Sequence, residues 1–188
     1  MSQPPHFDID GAIYFITTRL KEGQRLLDSF ESGIIQKNLL DLSSKKEIVL
    51  YAFVVMPDHL HALLKPITNG LSKTMQLIKG RAAREINIQR ETEAKGEAKA
   101  KREAEASPTQ NGADGAALQS GGSDFSRSTN LWQKGFFDFT IFTEKKFKEK
   151  FNYIHYNPVK RGLVKQADDY LYSSAKEYKE RYGEIYYQ

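Results

Sequence analysis

Four short runs of the chain are dense in β-branched and aromatic residues, and between them apolar residues recur at helical spacing. Residues 12–19, Ala-Ile-Tyr-Phe-Ile-Thr-Thr-Arg, follow the turn signal Asp10-Gly11 and predict a first strand. Over 24–42 the apolar positions Leu26, Leu27, Phe30, Ile34, Ile35, Leu39 and Leu42 keep a helical period, weakened midway by Gly33. Residues 48–56 read as a second strand, Pro57-Asp58 as a turn, and 59–64 as the returning arm of a hairpin. A second amphipathic helix is predicted over 71–88, with Leu71, Met75, Ile78, Ala82 and Ile86 on its apolar side and Lys73, Lys79, Arg81 and Arg84 interspersed. Residues 136–142 give a fourth strand, and Thr143-Glu144 caps a third helix running to Asn157. Pro158 is expected to end that helix, because a residue preceding proline disfavours helical geometry. Residues 172–182, rich in Tyr and Lys, predict a last helical piece.

Strand, helix, strand, strand, helix, strand is the split βαβ order of a ferredoxin-like fold. The expected class is α+β: an antiparallel βαββαβ sheet with helices on one face and C-terminal helical additions. A length of 188 residues suits one domain with a real core, assigned to 1–175, with 176–188 as a helical tail. The domain is interrupted at 91–129, where Ala/Glu/Lys repeats give way to Ser107-Pro108 and a Gly/Ser/Asn-rich stretch. That composition buries too little apolar surface to offset its ordering entropy, so helix extension fading into a flexible insertion is expected.

The chain has no cysteine, which excludes thiolate metal sites, disulfides and a cysteine nucleophile. No apolar run approaches the roughly 20 residues needed to span a bilayer. Met1-Ser2-Gln3-Pro4-Pro5 lacks the basic-then-apolar order of a signal peptide, so a cytoplasmic protein with no membrane partner is expected. A formal charge of +4 suits an anionic partner and is equally ordinary for solubility.

The candidate chemistry begins with His59-Leu60-His61. Side chains alternate along a strand, so the two imidazoles share a face and Leu60 takes the other. They form half of a divalent metal site that needs further oxygen or nitrogen ligands from elsewhere. In the third helix Tyr153 and Asn157 are four residues apart and share a helical face. If that face turns toward the histidines, Asn157 supplies an amide oxygen to the metal and Tyr153 sets a phenol beside whatever the metal polarises. Each has a plainer reading: Tyr153 as a packing residue, and Asn157 as a helix terminator before proline. His155 and His6 have no partner spacing and fall outside the site. Lys79, Arg81 and Arg84, with Lys145, Lys146, Lys148, Lys150, Lys160, Arg161 and Lys165, offer a phosphate-binding surface or a solvated one. Trp132 stacks a splayed base or packs in the core.

The blocks Val54-Val55-Met56-Pro57-Asp58-His59-Leu60-His61, Leu77-Ile78-Lys79-Gly80, Trp132-Gln133-Lys134-Gly135 and Tyr153-Ile154-His155-Tyr156-Asn157-Pro158-Val159-Lys160-Arg161-Gly162-Leu163-Val164 resemble, in order, those of REP-associated tyrosine transposases. These belong to the single-tyrosine HUH (His-hydrophobic-His) endonucleases. The resemblance covers most of 12–90 and 130–175; the 91–129 insertion is not part of the pattern. It implies a ferredoxin-like catalytic domain that binds single-stranded, hairpin-forming DNA in the bacterial nucleoid. With Mg²⁺ or Mn²⁺ such an enzyme cuts one strand to leave a 5′-phosphotyrosine and a free 3′-hydroxyl. By motif position His59 and His61 match the metal pair, Tyr153 the nucleophile and Asn157 the third ligand. Related insertion-sequence transposases carry glutamine or another polar residue at that last place.

Two other readings compete with this one. One is a domesticated, non-catalytic hairpin-binding protein. The other is a nucleotide hydrolase of the histidine-triad kind, against which Leu63 stands where a third histidine would fall. Either a monomer or a homodimer satisfies the sequence, with tyrosine and histidines from one chain or from two.

Overall fold

The computed structural model describes residues 9–105 and 130–182. The readings placed on Met1 to Pro5, on His6 and on 106–129 lie outside the described residues. The elements are β1 (Ile13–Arg19), α1 (Ser29–Ser44), β2 (Ile48–Met56), β3 (His59–Pro66), α2 (Leu71–Glu105), β4 (Phe137–Ile141), α3 (Glu144–Lys160), a 3-10 turn (Ala167–Asp169) and α4 (Ala175–Tyr182). The sheet order is β2-β3-β1-β4, every neighbour antiparallel, as the expected α+β ferredoxin-like class requires. Among the described residues no helix is long and apolar enough to cross a membrane.

Strand parity decides what each face meets. Tyr14, Ile16, Leu60, Ala62 and Leu64 point to one side and form the main core with Ile35, Leu39 and Leu42 of α1 and Leu71, Met75, Ile78, Ala82 and Ile86 of α2. Full burial of each such Leu or Ile contributes about 1.5–3 kcal/mol. The opposite face carries Phe15, Leu63, Ala52, Val54 and Met56, covered by Ile154 of α3. The first two helices therefore share one face, while the C-terminal addition α3 takes the other. The register of β2 against β3 shifts between Leu50 and Ala52. That bulge lets Ile48 and Phe53 face the same core although their numbers differ in parity.

Several boundaries differ from the sequence reading, each for a local reason. Helix α1 starts at Ser29 rather than near Gln24, because Asp28 and Glu31 form a reciprocal capping box. Leu27 is buried in the preceding loop, and Leu26 and Phe30 are exposed. Helix α2 continues past Ile88 to Glu105 through strong helix formers, and the buried Glu31 fastens it to α1 through a two-contact pair with Arg90 (2.6 and 3.1 Å). Helix α3 runs through Pro158 to Lys160. Its end is set by Gly162 at φ 68°, whose N–H reaches Val159 O at 2.9 Å while Leu163 N–H reaches Pro158 O at 2.9 Å, a Schellman closure. Residues 172–174 are extended along the edge of β2, with Val55 N–H on Tyr172 O and Ser174 N–H on Phe53 O, so α4 begins only at Ala175.

Candidate active site

His59 and His61 open β3 on the face that α3 covers, and both are almost fully buried. Their rings meet edge-on with centroids 4.6 Å apart. His59 Nδ1 is 2.6 Å from Asp58 Oδ1. Burial lowers the His59 pKa against the pull of Asp58. Burial would raise the Asp58 carboxyl, but its hydrogen bond with His59 and the Arg161 charge hold it below the ordinary range. An ionised carboxylate only accepts, so neutral His59 carries its proton on Nδ1 and leaves the Nε2 lone pair free. His61 Nδ1 lies 2.7 Å from Thr17 Oγ1, its cross-strand neighbour, and the ring stacks on Phe15 at 5.3 Å. Burial, reinforced by His59 and Arg19, pushes His61 down to about 3. Both imidazoles are therefore in the neutral form that metals bind.

Helix α3 brings Tyr153 to this strand end within one chain. Tyr153 Oη is 3.5 Å from His61 Nε2, and the phenol ring lies edge-on to His61 and Phe15 with centroids at 5.2 and 5.8 Å. Two turns on, Arg161 reaches Asp58 at 3.7 Å, opposite Arg19 at the same distance. Tyr153, Asn157 and Arg161 form one i, i+4, i+8 column. Tyr153 meets His61 and Arg161 meets Asp58, and Asn157, 6% exposed, lies between them in this column. The helix continues past Asn157, so its placement is not that of a helix terminator.

Among the described residues no group of three or more His, Cys, Asp or Glu side chains is placed to hold a metal. The donor set expected from the sequence, His59, His61 and Asn157, has an amide oxygen in place of a third such side chain. Two neutral imidazoles, each with its Nδ1 engaged by an oxygen, plus an amide oxygen fit a divalent ion that retains open positions. Asp58→Asn removes the charge that orients His59 and is expected to weaken Mn²⁺ binding by about 10- to 100-fold in calorimetric titration. Unchanged affinity would mean that the contact is not a supporting one.

The expected DNA contacts divide. Lys79, Arg81 and Arg84 lie on α2, across the sheet from the histidines. Lys79 donates to Gln133 O (2.8 Å) and Gly135 O (2.6 Å), and Arg81 lies 3.8 Å from Glu47. Trp132 takes its core alternative, 6% exposed with Nε1–H on Lys79 O at 3.1 Å. Together Lys79 and Trp132 tie 131–135 to α2. Lys160 and Arg161 close α3 on the histidine side. Sequence reasoning missed Thr17, Phe15, Arg19 and the supporting role of Asp58; only Asp58, adjacent to His59, carried a signal without the register.

His155 stays outside the site. It is fully buried, its Nε2 is 2.7 Å from Ser174 Oγ, and Phe151 and Tyr178 pack on its ring. Burial pushes its pKa to about 3. The unfolded chain takes this proton below about 6.5 and the folded chain refuses it, so stability is full above that pH and falls as pH drops toward 3. The slope from this group approaches ~1.4 kcal/mol per pH unit. His155→Gln is expected to reduce the fall in urea-unfolding free energy between pH 7 and pH 5 by about 2 kcal/mol in total, and an unaltered slope would place the ionisation elsewhere.

Residues 11–102 match the family model described as "Transposase IS200 like". Over 176 residues the chain is 20% identical to the REP-associated tyrosine transposase of Escherichia coli (strain K12), covering 93% of this chain and 82% of that protein. The chain is thus similar to IS200-like transposases over 11–102 and to a REP-associated tyrosine transposase over most of its length. It is also 40% identical over 48 residues to a putative REP-associated tyrosine transposase of Haemophilus influenzae, covering 26% of this chain and 27% of that one. A solved REP-associated tyrosine transposase bound to a REP hairpin superposes with a TM-score of 0.64 at 21% identity, covering 99% of this chain and 94% of that one, a likeness of fold. The transposase resemblance read from the sequence blocks is thus borne out.

Proposed function

We propose that this protein is a metal-dependent single-stranded DNA endonuclease and strand transferase acting on hairpin repeats. The observation that carries the reading is Tyr153 Oη at 3.5 Å from His61 Nε2, with buried Asn157 one turn further along the same face. The hairpin bound by the solved relative supports hairpin DNA as the substrate.

In this mechanism Tyr153 Oη attacks a phosphodiester phosphorus. The P–O3′ bond breaks, the phenolic proton is lost and the departing 3′ oxygen is protonated, leaving a 5′-phosphotyrosine and a free 3′-hydroxyl. Attack by another 3′-hydroxyl on the phosphotyrosine reverses the step and joins the ends. Phe15 and His61 hold the phenol in place through edge contacts. His59, His61 and Asn157 would hold a Mg²⁺ or Mn²⁺ ion, which when bound supplies positive charge to the phosphoryl oxygens. Asp58 and Thr17 fix the imidazoles, so little reorganisation is needed at the moment of reaction.

The test incubates the protein with Mn²⁺ or Mg²⁺ and labelled hairpins copied from repeats flanking its gene. A denaturing gel should show a covalent protein–DNA band that EDTA removes. Tight hairpin binding with no such band on any flanking repeat would assign a domesticated binding protein instead.

A further inference from the structure

The row of the sheet that contains His61 does not end at the site. Across it run Val54, His61, Thr17 and Phe137, and the next row runs Leu63, Phe15 and Phe139. By register Phe137 and Phe139 therefore share a face with His61. Helix α3 packs with Ala52, Val54 and Met56 of β2, leaving Phe137 57% and Phe139 36% exposed. Phe137 meets Phe15 edge-on at 6.5 Å, and Phe15 meets Tyr153. The Lys150 ammonium stands over the same group, 5.2 Å from the Phe15 ring, 5.5 Å from Phe139 and 5.9 Å from Tyr153. Its carboxylate neighbour Glu149, 3.3 Å away, is also paired with Lys146 at 2.6 Å.

We propose that Phe137 and Phe139, with Lys150 beside them, are a stacking platform for the unpaired nucleotide adjoining the bond that Tyr153 attacks. This rests on the strand-cleavage reading above. Exposed aromatic faces beside a cation match single-stranded DNA: bases stack on the rings whatever their identity, and the phosphate meets the ammonium. The platform is continuous with the nucleophile through Phe15, so a base seated on it holds the neighbouring phosphodiester near Tyr153 Oη. A duplex buries the base faces that this surface would take, which makes the platform selective for an unpaired flank.

The test uses the full chain carrying Tyr153→Phe, which holds DNA without cutting it. The probe is a hairpin copied from the flanking repeats, extended by an unpaired stretch with 2-aminopurine at successive positions. One position should be quenched on binding. Phe137→Leu should abolish that quenching and weaken binding of the extended hairpin by about 5- to 150-fold, with the unextended hairpin unaffected; Phe137→Trp should restore both. Lys150→Met should give a smaller loss that disappears at high salt. The proposal is overturned if no position is quenched in the parent protein, a result that needs no variant to fold. It is equally overturned if folded Phe137→Leu binds the extended hairpin normally, or if that substitution only dissociates a dimer, which would make this edge an interface between copies. Failure of the underlying reading looks different: the unsubstituted chain then forms no covalent product with metal on either probe, whether or not it binds them.

Discussion

Tyr153→Phe is expected to abolish the covalent protein–DNA adduct completely while hairpin affinity stays within a few-fold of the parent. The substitution removes one oxygen, the atom 3.5 Å from His61 Nε2, and keeps the ring that packs on Phe15 and His61. Tyr153 is 41% exposed, so the stability change should stay within about 0.5 kcal/mol. Activity and folding are thereby separated: a folded, DNA-binding, adduct-free protein isolates the loss to the nucleophile. Tyr156→Phe is the matched control, since Tyr156 is comparably exposed at 47% on the same helix. An adduct that survives Tyr153→Phe and is lost with Tyr156→Phe would reassign the nucleophile.

His61→Gln should reduce cleavage at saturating Mg²⁺ by at least about 100-fold and shift the Mn²⁺ dependence to higher concentration, because loss of a ligand exceeds the cost of disturbing its support. Glutamine approximates the ring's reach and limits the cavity left between Thr17, Phe15 and Tyr153. Hairpin binding should persist, since the imidazole is buried and the proposed DNA contacts are untouched. Cleavage by His61→Gln at the parent rate, or cleavage in EDTA, would remove the metal from the mechanism.

The parts of the site legible in the sequence are those fixed by local periodicity. Strand alternation alone put His59 and His61 on one face, and helical spacing put Tyr153 and Asn157 on another. That Tyr153 meets His61 was not legible from periodicity and came only as an implication of the family resemblance, because it depends on α3 covering the sheet face opposite α1 and α2. Thr17 became the partner of His61 only through the β1–β3 register. Pro158 was misjudged as a stop because the competing signal lay four residues later, in the positive φ of Gly162. Lys79 shows the limit of counting charges: the same ammonium that looks phosphate-binding in sequence is occupied by two carbonyls of the 133–135 loop. The bulge between Leu50 and Ala52 likewise inverts the parity of half a strand without any Gly or Pro to announce it.

The most direct measurement is to trap the protein–DNA adduct formed with Mn²⁺, digest it with trypsin and nuclease, and fragment the peptide Phe-Asn-Tyr-Ile-His-Tyr-Asn-Pro-Val-Lys by mass spectrometry. The expected result is a nucleotide-phosphate mass on Tyr153 and none on Tyr156, absent when metal is withheld. The modification on Tyr156 or on another residue, or its formation without metal, would contradict metal-assisted attack by Tyr153.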